Sequence, residues 1–85
     1  MAVVTRDIRG IPLWLLRDYL VDLDGTLAAD NLVVGPGWRV QLTRLADVQI
    51  GSLRVGEVRL EMSGAPEVIA ALERALWPKL LRGGG

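Results

Sequence analysis

The sequence predicts an α+β domain in two layers, a curved antiparallel sheet of four to five strands with two helices on one face. Two stripes of helical period, Leu13 to Leu23 and Ile69 to Leu80, and one alternating segment from Trp38 to Thr43 carry that expectation. Each stripe is apolar on one side only, and so is the best strand. The economical packing therefore lays both helices on the same side of one sheet. The order expected is β-α-β-β-β-β-α in a single domain over residues 1–82, with residues 83–85 a flexible glycine tail.

Val3, Val4 and Ile8 suggest an opening strand that Gly10 ends. Pro12 suits a first helical turn, and Leu13, Leu16, Leu20 and Leu23 then recur at helical spacing while Arg17, Asp18, Asp22 and Asp24 fall largely opposite. This is an amphipathic helix over about 12–24, with Gly25 as a left-handed cap. Residues 27–34 read as one weak strand interrupted at Asp30-Asn31, firm only at Leu32-Val33-Val34. Gly35-Pro36-Gly37 is a turn in which proline fixes one φ and glycine permits a positive one. Trp38, Val40 and Leu42 then alternate with Arg39, Gln41 and Thr43.

From Val48 onward the parity of the apolar residues changes at Gly51 and again at Gly56. Two segments are expected, about 47–51 and 53–62, with Glu57, Arg59 and Glu61 outward. Ser63-Gly64-Ala65-Pro66-Glu67 opens the second helix, with Ser63 as cap candidate and Ile69, Leu72, Leu76 and Leu80, helped by Ala75, as buried stripe. Pro78 cannot donate to the Arg74 carbonyl, so a kink or stop is expected near Trp77. The element order resembles the strand-helix-four-strand-helix plan of the TATA-binding-protein-like folds, a likeness that implies architecture alone.

Composition narrows the chemistry. The 85 residues hold ten basic and ten acidic side chains, so the strong positive field that drives phosphate binding is missing and no nucleic-acid partner is expected. Cysteine and histidine are both absent, which removes thiolate nucleophiles, zinc-thiolate sites and the side chain that titrates nearest neutrality. No cofactor, metal ligand or catalytic residue is assigned, and an enzyme is not expected. No apolar run approaches the length needed to span a bilayer, so the expected setting is the cytoplasm, without membrane contact. Nine arginines against one lysine, with few amides, suit a thermophile of high genomic GC content. Length, arginine bias and the Gly-Pro-Gly hairpin resemble a small domain family of thermophilic bacteria.

Two short strings bear chemical readings. Val21-Asp22-Leu23-Asp24-Gly25-Thr26-Leu27 resembles the first motif of the haloacid dehalogenase-like hydrolases. That resemblance implies Asp22 as phosphoryl-accepting nucleophile, Asp24 as general acid and base, and magnesium between substrate and carboxylates. The helical period of the preceding residues instead makes both aspartates the solvent side of a helix end. With Asp30 and Asn31 they also miss the spacing of a calcium loop, because Val33 stands where the loop needs glutamate. Leu80-Leu81-Arg82-Gly83-Gly84 is similar to the diglycine tail of ubiquitin and of ubiquitin-like sulfur carriers, whose terminal carboxylate is adenylated and converted to a thiocarboxylate.

Arg39, Arg44, Arg54 and Arg59 are interleaved with Asp47, Glu57 and Glu61, which predicts cross-strand ion pairing on a wet sheet face. Trp38 shares the register of Val40 and Leu42 and belongs to the core. Trp14 and Trp77 lie off the leucine stripes and, with Leu81, form the candidate interface. A hydrophobic content of 51% in so small a body leaves apolar surface outside the core. The expected function is a non-enzymatic binding or assembly module that self-associates as a homo-oligomer or docks on a protein partner. The alternative is a carrier activated at its C-terminal glycines.

Overall fold

Among the described residues seven elements follow the predicted order: β1 (Ala2–Arg9), α1 (Leu13–Asp22), β2 (Thr26–Ala29), β3 (Leu32–Gly35), β4 (Trp38–Ile50), β5 (Leu53–Gly64) and α2 (Pro66–Gly83). The computed structural model describes residues 1–83, and side chains through residue 81. The strands form one sheet in the order β1-β5-β4-β3-β2, with every pairing antiparallel. α1 packs on β2, β3 and β4, and α2 on β5 and β1, so the two helices share one face and touch each other. The accessible surface is 5293 Å², against about 5,000 Å² for a folded chain of this mass.

The core lies between helices and sheet. Leu16 and Leu20 from α1, Val33, Val40, Leu42, Leu60 and Met62 from the strands, and Ile69, Leu72 and Leu76 from α2 are all buried, and Trp38 joins them. No charged or polar residue is buried among them. This is the arrangement the two leucine stripes require.

Several elements differ from their sequence-based expectation. The weak strand over 27–34 is two strands, since Asp30-Asn31 turns the chain into a β2–β3 hairpin. β4 runs unbroken from Trp38 to Ile50, and the register shift of the β4–β5 pair falls at a bulge between Leu45 and Val48 rather than at Gly51 or Gly56. The inserted residue puts Val48 and Ile50 on the face opposite Val40 and Leu42, although all four positions are even. Gly51 does turn the hairpin, with a positive φ of 61°. Gly56 stays inside β5.

At the end of α1 the left-handed residue is Asp24, φ 70°, not Gly25. The Gly25 N–H reaches back to the Leu20 carbonyl at 3.1 Å, closing a Schellman-type cap around Asp24. Gly25 is glycine for space. A Cβ there would come 2.5 Å from Val33 and 2.8 Å from Trp38. Ser63 is a sheet residue paired with Val3 and Arg39, and the carbonyl of Ala65 instead accepts from Val68 and Ile69 at the start of α2. The helix continues through Pro78 to Gly83 without stopping, and Ala75 is exposed rather than buried. Gly83, expected in the tail, is helical, and the rest of that expected tail, Gly84 and Gly85, lies outside the described residues.

Candidate functional site

Asp22 and Asp24 occupy a helix end. Asp22 is the last residue of α1, its carboxylate 3.7 Å from the Lys79 ammonium, and that ammonium also sits 5.7 Å from the centre of the Tyr19 ring. In the hydrolase motif these aspartates would close a buried parallel strand. Here no strand pairing in the sheet is parallel and the residues preceding them are helical, so the hydrolase reading is overturned. Among the described residues no three acidic side chains gather as a metal-holding group. The aspartates, with Glu67, rim a cleft of about 440 Å³ between the end of α1 and the first half of α2, floored by Trp38 and Leu72.

The candidate interface residues are all exposed, but they divide into two places. Trp77 and Leu81 stand four residues apart and share one face of α2. Trp77 lies beside Arg6 and Glu73, whose side chains pair at 3.0 Å. Trp14 begins α1 and lines a separate, wider groove of about 780 Å³. The β4–β5 hairpin forms the other wall of this groove. β1 pairs with β5 only over residues 57–64, and β3 with β4 only over 38–41, so residues 45–55 stand out beyond the body as a two-stranded arm. The molecule is correspondingly long, 41 × 24 × 21 Å.

The expected ion pairing occurs at only some of the arginines. Arg59 donates to both oxygens of Asp7 across β1 and β5, at 2.9 and 3.2 Å, and Arg9 donates to Glu57 at 2.9 Å. The hydrogen bond from Arg59 holds the Asp7 carboxyl below its ordinary value, and Asp7 in turn raises the Arg59 guanidinium. Arg44 and Arg54 form no ion pair among the described residues, and both line the groove beside Trp14. The sequence held a signal for this. Arg44 continues the inward register of Val40 and Leu42, and Arg54 that of Val58 and Leu60, so both face the helix side of the sheet where the helices no longer cover it.

Almost the whole chain, residues 4–85, matches the model of the family described as archaeal MoaD-like protein. The chain belongs to the archaeal MoaD-like family. No curated protein matches it. Membership agrees with the expectation of a small domain family, and the family's description is archaeal where the sequence suggested bacteria. It is also compatible with carrier chemistry at the terminal glycines. In this MoaD-like chain, however, the segment leading to those glycines is helical through Gly83, whereas the carriers extend theirs from a strand. No helix among the described residues is long and apolar enough to cross a membrane.

Proposed function

We propose that this MoaD-like chain is a non-enzymatic module that works by docking, on a protein partner or on a second copy of itself. The observation that carries the reading is exposure: Trp14 at 57%, Trp77 at 60% and Leu81 at 64% present large apolar side chains to solvent although the core is complete without them. Tryptophan in that setting is the side chain most enriched at interface hot spots. The proposal extends to a cytoplasmic setting, supported by the absence of cysteine, and to a thermophilic source, supported by nine arginines against one lysine.

A dilution series by sedimentation velocity tests the self-association arm. The expected result is a sedimentation coefficient that falls on dilution, and Trp77→Glu should abolish the change. A monomer up to the highest soluble concentration removes the second copy as occupant and leaves only the foreign partner.

Family membership favours one further reading, the carrier. In it a terminal glycine carboxylate attacks the α-phosphorus of ATP and expels pyrophosphate, and hydrosulfide from a sulfur donor then attacks the acyl carbon and displaces AMP to leave a thiocarboxylate. A chain ending at Gly84, incubated with an activating enzyme, ATP and a sulfur donor, should exchange one oxygen for sulfur by intact-mass spectrometry. Unchanged mass ends this reading.

A further inference from the structure

We infer that the groove between the start of α1 and the β4–β5 arm is a docking site for an acidic, extended peptide segment of a protein partner. This deepens the proposed docking function and rests on it. The groove holds about 780 Å³, and its chemistry is amphipathic. Val58, Pro12 and Leu13 give it an apolar floor, with the exposed Trp14 indole at the rim. Arg44 and Arg54 supply two guanidinium groups without a carboxylate of their own.

The acids nearby do not cancel that charge. The Glu57 carboxylate is taken by Arg9 at 2.9 Å and is largely covered. Asp47 lies over Gly56, yet makes no ion pair with either arginine. The groove keeps a net positive charge in a molecule whose formal charge is zero. Guanidinium groups without partners beside an apolar floor fit carboxylates interspersed with aliphatic side chains.

The backbone argues for an extended occupant. Leu42 donates its N–H to the Asn31 carbonyl at 2.8 Å, so the same edge of β4 two residues on, at Arg44, faces the groove. β3 pairs no further along β4 than Gln41, and the N–H and C=O of Arg44 therefore have no strand opposite them on that side. An added strand there would place alternate side chains beside Arg44, on the sheet face that Arg54 shares. Asn31, on the groove wall, marks where the β2–β3 hairpin gives way to that open edge.

The test uses the intact chain and fluorescein-labelled octapeptides of alternating glutamate and leucine, with lysine in place of glutamate as the control. The acidic peptide should bind saturably by anisotropy and weaken as salt rises, and the basic one should not bind. Arg44→Glu and Arg54→Glu should each weaken binding by about ten-fold or more, whereas Arg39→Glu, on the opposite sheet face, should leave it unchanged. Equal affinity for both peptides, no binding at millimolar chain, or equal loss in Arg39→Glu overturns the assignment, and the wild-type comparison decides even if a variant misfolds. Trp77→Glu separates this site from the α2 surface, because it should abolish self-association and spare peptide binding. Self-association that Arg44→Glu abolishes would put a second copy in the groove and overturn the acidic-peptide occupant.

Discussion

Asp24 and Gly25 divide between them two tasks that the sequence assigned to one residue. A left-handed residue and a glycine were both expected at the end of α1, and both occur, but on adjacent positions, because Trp38 and Val33 crowd the glycine while the chain reverses at the aspartate. Tertiary crowding of that kind leaves no mark in local sequence. Two substitutions with opposite signs follow. Asp24→Gly relieves the left-handed strain and removes a negative charge from the helix C-terminus, and should raise stability by about 1 kcal/mol in urea denaturation. Gly25→Ala drives a methyl into Val33 and the Leu20 carbonyl, 2.5 and 2.6 Å away, and should cost about 2 kcal/mol or more. Arg44 and Arg54 teach the same lesson: their inward parity was legible, but their lack of partners depends on where β3 and α1 begin.

At the scale of elements, alternation and helical period identified both helices and the inner face of the sheet, because burial there repeats along each element. They missed the continuity of β4, since Arg44 to Asp47 interrupt the apolar alternation where a bulge leaves the strand unbroken, and they ended α2 too early. Pro78 stands on the exposed side of α2, where the ring meets solvent and the lost bond to Arg74 is the main penalty. Pro78→Ala should therefore stabilise the chain, by about 1 kcal/mol or more, read as a higher urea midpoint with an unchanged slope. The edge strand β1 is held partly by Asp7 and Arg59. The Asp7 carboxyl titrates lower when folded than its ordinary 3.8, so the pair contributes its full stability above the unfolded value and loses it as pH falls through the folded one. Wild type should lose stability on acidification below about pH 4 more steeply than Asp7→Asn, with the two curves converging in acid.

For the whole molecule, two layers, two helices on one face and antiparallel strands were readable from the order and period of the apolar residues. The overall length was not, because it comes from an arm whose neighbours stop short, and strand length in one element says nothing about strand length in the next. The exposure of Trp14, Trp77 and Leu81 was readable but their placement was not: Trp77 and Leu81 share a helix face, and Trp14 belongs to the groove. If both surfaces dock as proposed, their losses are separable: a double variant of Trp77 and Arg54 should bind the acidic peptide no more weakly than the Arg54 variant alone, as fluorescence anisotropy would register.

Because no third strand among the described residues pairs with residues 45–55, this ribbon can melt and re-form while the helices stay packed. Its amides should become deuterated orders of magnitude sooner than those of Val40, Leu60 or Leu72, and a proteinase should nick the chain at Gly51-Ser52 while leaving a folded body behind.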